Sequence, residues 1–173
     1  MSDAAPVITI LEDALSRVQE NVHAVLEGIS AADLSYRPGP EANSIGWLIW
    51  HLTRVQDDHV AEVAGRPQVW TAQGWVDRFG LPLTETDTGW SHSSEQVAAV
   101  RVSDPALLTG YYDATHEQTL AFLRGIGDAE DLERVVDDRW DPPVTLAVRL
   151  ISVIDDDAQH VGQAAYVAGL LPR

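Results

Sequence analysis

The sequence predicts an all-α protein, a four-helix bundle in which a long crossover joins the second helix to the third. Three observations lead there. Four segments place apolar residues at alternating spacings of three and four, the pattern of a helix with one buried face. No segment shows the sustained alternation of a half-buried strand, although Val135-Val136 reads as a short strand or extended arm. Between the second and third segments, from Arg66 to about Ser103, lies a stretch without long periodicity, far longer than neighbouring helices need for a hairpin. A chain of 173 residues with 45% hydrophobic content fits one domain, residues 1–173, whose core needs no covalent staples.

The first helix is read as Val7 to Leu26, with Ile8, Leu11, Leu15, Val18, Val22 and Val25 as an inner seam that runs on to Ile29. Gly28 ends it, and Ser30-Ala31-Ala32-Asp33 starts one further short turn. Arg37-Pro38-Gly39-Pro40 is a break. Asn43 or Ser44 caps the second helix, whose seam is Ile45, Leu48, Leu52, Val55 and His59 and which ends at Gly65-Arg66-Pro67. His51, three residues after Leu48 and four before Val55, points inward beside that seam.

The crossover carries Trp70, Trp75, Phe79, Trp90 and His92 among Gly74, Gly80, Pro82 and Gly89. Its aromatics are expected to be buried, with a short helix over Ser93 to Val100, and the segment is expected to cover one end of the bundle. Asp104-Pro105, a cap followed by Pro at the first helical position, opens the third helix, with Leu108, Tyr112, Thr115, Thr119 and Phe122 as its seam and Gly125 and Gly127 closing it. Asp141-Pro142 repeats the signature and is expected to open the fourth helix, which ends near Gly169. A connection as long as the crossover lets the second and third helices run parallel.

Composition narrows the chemistry. There is no Cys, which removes disulfides, a thiolate nucleophile and any sulfur-ligated zinc site; all 11 basic residues are Arg, which removes Schiff-base chemistry and Lys-based phosphate loops. A formal net charge of -16 repels phosphate backbones and anionic lipid, so neither nucleic acid nor a membrane surface is an expected partner. The first residues lack a basic and apolar leader, and no apolar run approaches the ~20 residues of a membrane span, so a cytoplasmic location is expected.

The chemistry that remains gathers on the fourth helix. Leu146, Leu150 and Val153 before, and Ala164, Val167 and Leu171 after, continue a rhythm that puts Asp157 and His160 on the buried stripe with Asp156 beside them. Acids facing a core need a partner, whether a metal, an Arg or a water-filled pocket. Asp156 and His160 lie four residues apart, about 40° round and one turn along, so both can reach one point, and His51 supplies a second inward imidazole from another helix. Two His and one carboxylate make an open site for Zn²⁺ or a similar divalent ion, able to acidify a bound water or thiol. His59 is about 12 Å along the helix from His51 and cannot share that ion; His23, His59 and His116 are read as hydrogen-bonded core residues. Asp155 and Asp157 are read as solvated, or as partners of Arg149 or of ligand His N–H groups.

The run Asn43-Ser44-Ile45-Gly46-Trp47-Leu48-Ile49-Trp50-His51-Leu52, with His160-Val161-Gly162-Gln163 and Gly169-Leu170 far downstream, resembles the DinB-like superfamily, in particular its branch near the mycothiol-dependent maleylpyruvate isomerase N-terminal domain. The resemblance spans essentially the whole chain in element order and is most specific at the two His-bearing helices. It implies a divalent metal, zinc or nickel, held by one His on helix two and a His-x-x-x-His or Glu-x-x-x-His pair on helix four. Carried over residue by residue, the first position is His51, the last His160, and the middle one Asp156, where this chain has Asp in place of His or Glu. Asp is one methylene shorter than Glu, so the helices approach more closely there, or affinity falls, or Asp157 serves instead.

The resemblance also implies a transferase using a bacterial low-molecular-weight thiol, mycothiol or bacillithiol, whose pKa the metal lowers. The Arg-only composition suits a GC-rich, actinobacterial source and hence mycothiol. The isomerase itself carries a further C-terminal domain that contributes to its active site, so maleylpyruvate isomerisation is not expected. The leading expectation is a metal-dependent thiol S-transferase with an electrophilic small-molecule substrate under the Trp70 to Trp90 segment; no catalytic side chain beyond the metal group is assigned. The alternative, from another class, is a bundle that binds a metal or small molecule, or forms a homodimer, without catalysis. A third reading is a metal-free structural or stress protein in which Asp156 pairs with His51 or an Arg.

Overall fold

The computed structural model describes residues 3–171. In chain order it contains α1 (Ala5–Leu26), α2 (Ala31–Leu34), α3 (Ile45–Ala64), α4 (Val69–Ala72), α5 (Trp75–Phe79), α6 (Ser94–Ala99) and α7 (Pro105–Leu123); a 3₁₀ turn (Ala129–Glu133) and a hairpin of β1 (Val135–Asp137) and β2 (Val144–Thr145) then lead into α8 (Leu146–Gly169). The long helices α1, α3, α7 and α8 form the predicted bundle. His51 lies beside His160 and His59 beside Arg149, so α3 and α8 are antiparallel neighbours. Glu12 pairs with Arg124 and His23 with Asp113, so α1 and α7 are antiparallel too. Gly46 packs on Val102 at one end while Ala64 and Phe122 share a cavity at the other, which makes α3 and α7 parallel, as the crossover length predicts. No helix among the described residues is long and apolar enough to cross a membrane.

The periodic seams become the core. On α1, Ile8, Leu11, Leu15, Val18, Val22 and Val25 are all buried, each such side chain contributing about 1.5–3 kcal/mol. Ser30 and Asp33 form the reciprocal capping box of α2, and Ser93 and Gln96 that of α6. On α7, Leu123 takes the buried place expected for Phe122, and Tyr111 joins Tyr112 inside. On α3 the difference is larger: Gln56 and Val60 are buried while Val55 and His59 are half-buried, and the first half of the helix is enclosed on every side. The physical reasons are the crossover, which lies along α3 and gives it a second buried face that a one-sided seam does not anticipate, and the cavity between α3 and α8, which Val55 and His59 line.

A buried polar lock holds the crossover there. The Asp57 carboxylate accepts from the backbone N–H groups of Val69 and Trp70 and from the Tyr111 hydroxyl, each at 2.8 Å. Arg54, 0% exposed, donates to the Asp87 carbonyl (3.1 Å), to Gln68 Oε1 (2.9 Å) and to Tyr111 (3.2 Å), and its guanidinium lies over the Trp70 ring. Trp70, Trp75 and Phe79 are buried as expected, but Trp90 is not: it is 83% exposed.

The start of α8 also departs from expectation. Asp141-Pro142 does not open the helix. Val144 and Thr145 first pair with Asp137 and Val135, and Thr145 then caps α8 through Val148 N–H. Two β-branched residues after a Pro pair favour that extended step, and Thr supplies the capping oxygen.

Candidate metal centre

Ser44 caps α3 by accepting from Trp47 N–H at 3.1 Å, which sets the helical phase so that Trp47 and His51 share a face one turn apart. Their rings stack with centroids 4.5 Å apart and planes 16° apart. From α8, Asp156 and His160 approach the same point, with His160 Nε2 3.5 Å from Asp156 Oδ1 and the two imidazole rings 4.8 Å apart at 74°. One ligating atom from each of His51, Asp156 and His160 lies within 4.8 Å of the others. The two helices thus bring together the three residues that the sequence singled out.

The surroundings fit a cation. His51 Nδ1 is committed to the Thr88 carbonyl and His160 Nδ1 to Gln163 Oε1 at 3.1 Å, so each ring directs Nε2 at the common point. Asp156 Oδ2 is buried and has no hydrogen-bond partner among the described residues. A donor set of two imidazoles and one carboxylate suits zinc or a similar borderline ion with coordination positions left open. Burial holds the His51 pKa below its ordinary value, keeping a lone pair available. For His160 burial works the same way but the adjacent Asp156 carboxylate outweighs it, and the pKa is raised.

Asp157 does not join this group. It turns into the bundle, is 0% exposed, and neither carboxylate oxygen has a partner among the described residues. Burial, reinforced by the charge of Asp156, pushes its pKa well above the carboxylate range. The geometry does not favour the alternative in which Asp157 serves in place of Asp156: side chains one residue apart on a helix point about 100° apart. Asp155 is exposed and accepts from Gln159 at 2.8 Å. Arg149 bonds to neither acid but to His59 and Asp137. Of the remaining histidines, His23 pairs with Asp113 at the surface, and His116 is buried with Nδ1 unpartnered among the described residues.

Residues to which the sequence reading gave no role at the metal group complete the site. The loop Asp87-Thr88-Gly89 brings a carbonyl onto His51, and only glycine fits at 89: its φ is +90°, and an added Cβ would sit 2.8 Å from His51 Nδ1. His92 accepts from Trp47 Nε1 at 3.1 Å and donates to Asp87 at 2.9 Å, tying the loop to the ring that stacks on His51. A cavity of about 390 Å³ begins at Asp156 and runs along the α3–α8 groove past Ser152 and Val55 to Arg149, Arg139 and Trp140, with Trp90 at its side. Ser152 precedes Asp156 by four residues, so the helical period could have found it, and Arg149, expected as a partner for the neighbouring acids, precedes it by seven; Arg139 and Trp140, on the hairpin, carried no such signal.

Fold and site together define a DinB-like helical bundle whose His, Asp and His side chains could hold a divalent ion. The chain belongs to the mycothiol S-transferase family, whose family model matches residues 10–171. It is also similar to the crystal structure of a conserved protein from Enterococcus faecalis, with 33% sequence identity and a TM-score of 0.87, over 97% of this chain and 96% of that one. No curated protein matches the chain.

Proposed function

We propose that the protein is a metal-dependent S-transferase that joins a thiol of the mycothiol type to an electrophilic small molecule, with zinc or nickel held by His51, Asp156 and His160. The observation that carries this reading is that the three-residue group adjoins, through Asp156, a cavity large enough for a small molecule. Membership of the mycothiol S-transferase family supports it. A divalent ion at such a site supplies the positive charge that lets a thiol ionise near neutral pH. In the transfer, sulfur forms a bond to the electrophilic carbon, the leaving group departs with its electron pair, and the thiol proton passes to solvent. Thr88 and Gln163 hold the two imidazoles in the required tautomer, and Trp47, stacked on His51, keeps water from one side of the ring.

The test pairs elemental analysis of the native protein with conjugation of mycothiol to monochlorobimane. One equivalent of zinc or nickel and turnover, both lost in His51→Ala and His160→Ala, is the expected result. Native protein without stoichiometric metal overturns the site. Metal binding and thermal stabilisation by thiol without turnover would instead mark a binding protein.

A further inference from the structure

The far end of the cavity is built differently from its metal-side end. Arg149 and Asp156 are seven residues apart on α8, so they share a face and stand about 10 Å apart along the helix. Arg149 donates Nη1 to His59 Nδ1 at 2.8 Å and Nη2 to Asp137 at 3.3 Å, and its buried Nε has no partner among the described residues. Arg139 donates Nε and Nη2 to the same Asp137 carboxylate, at 2.9 and 2.8 Å. One carboxylate thus serves two guanidiniums. The other acids in the wall are Asp58, which accepts from Gln68 Nε2 at 2.6 Å, and Asp156 at the metal-side end. Two of the 11 basic residues of a strongly acidic chain therefore converge on one shared carboxylate at this end of the cavity. Above them stand two of the most exposed large apolar side chains of the molecule, Trp90 at 83% and Trp140 at 66%. Indoles left in water at a cavity mouth beside paired arginines are a combination that suits a flat, anionic ligand.

We propose that Arg149 and Arg139, with Trp140 and Trp90, form a subsite for the carboxylate end of an aromatic-sized electrophile, so that the protein selects anionic aromatic substrates over neutral ones. Which end of the ligand reacts rests on the S-transferase reading; its binding does not. A para-substituted benzoate spans the cavity with its carboxylate toward Arg149 and its substituent toward the His51–Asp156–His160 end.

The experiment is calorimetric titration of the native protein with 4-methylbenzoate and with its neutral isostere 4-methylbenzamide, on wild type, Arg149→Gln, Arg149→Lys and Arg139→Gln. The expected result is at least a tenfold preference for the carboxylate in wild type, falling to near parity in Arg149→Gln, partly kept in Arg149→Lys and reduced in Arg139→Gln, while the amide affinity stays within about twofold. Trp140→Ala is expected to weaken both ligands alike. Should Arg149→Gln fail to fold, the Lys and Arg139 variants carry the same comparison. Equal affinity of the two ligands in wild type overturns the subsite. So does a preference that survives in Arg149→Gln and Arg139→Gln but vanishes when metal is removed, because the carboxylate then binds the ion. Bimane conjugation on the same wild-type preparation separates the two readings: no turnover with the preference intact sinks the transferase alone, and turnover without preference sinks the subsite alone.

Discussion

Replacing Gly89 by Ala tests how the loop governs the site. The new Cβ would lie 2.8 Å from His51 Nδ1, 3.0 Å from Trp50 Cζ3 and 3.1 Å from Trp47 Cζ2, atoms of three buried rings, at a backbone φ of +90°. A side chain in that region costs about 1–2 kcal/mol in backbone conformation, and the loop must also retreat from the rings, losing the hydrogen bond from His51 to the Thr88 carbonyl for about another 1 kcal/mol. Stability is expected to fall by about 2–4 kcal/mol, measured by urea unfolding of metal-free protein. His51 without its carbonyl partner can rotate and change tautomer, so zinc affinity, measured by competition with a chromophoric chelator, is expected to fall about 10- to 100-fold. Thr88→Ala keeps the backbone carbonyl and is expected to bind zinc like wild type. If Gly89→Ala binds zinc within twofold of wild type, the Thr88 carbonyl does not orient His51 and the reasoning is refuted.

Three further outcomes follow from the same structure. Arg54→Met leaves the Asp57 carboxylate buried without its cation and frees the Asp87 and Glu85 carbonyls; a loss of about 3–5 kcal/mol in chemical denaturation is expected, and a loss under 1 kcal/mol would show the lock to be incidental. Asp157→Asn replaces an unpartnered buried carboxyl by a neutral amide of the same shape, so metal-free protein should gain about 1 kcal/mol or more at neutral pH, and destabilisation would mean that Asp157 has a partner it needs. The Asp137 pKa is depressed, first by its hydrogen bonds from Arg139 and then by Arg149; its contribution to stability is therefore present above the unfolded carboxyl value near 3.8 and is lost as pH falls toward the folded value. Asp137→Asn should accordingly be less stable than wild type at pH 5 and converge with it in stronger acid, and a gap that widens on acidification contradicts the ion pair.

Much of the fold was legible because α1, α3 and α8 are amphipathic enough to declare a face, which α7, with Thr at two seam positions, does only weakly. The α1 seam from Ile8 to Val25 lies in the core as its spacing requires, and the caps at Ser30, Ser44, Ser93 and Asp104 sit at helix starts because each needs only its own next three residues. Where the reading missed, the deciding contact was remote in sequence. Val55 and His59 are only half-buried because they line the cavity between α3 and α8; Asp141-Pro142 did not start α8 because Val144 and Thr145 found β1 first; Trp90 stayed in water because its loop is held by Arg54 and His92 at a cavity mouth, away from the core.

The sequence by itself determined the helical periods and, through them, that Asp156 and His160 share a face and that His51 turns inward, since a helix relates residues one turn apart whatever surrounds it. Only the tertiary structure decided that the two helices meet at those residues, that Asp156 and not Asp157 faces His51, and that a carbonyl at 88, admitted by a glycine at 89, reaches the imidazole. Those relations depend on crossing position, helix rotation and loop path, which are set by packing between segments far apart in the chain and leave no periodic trace in any one of them.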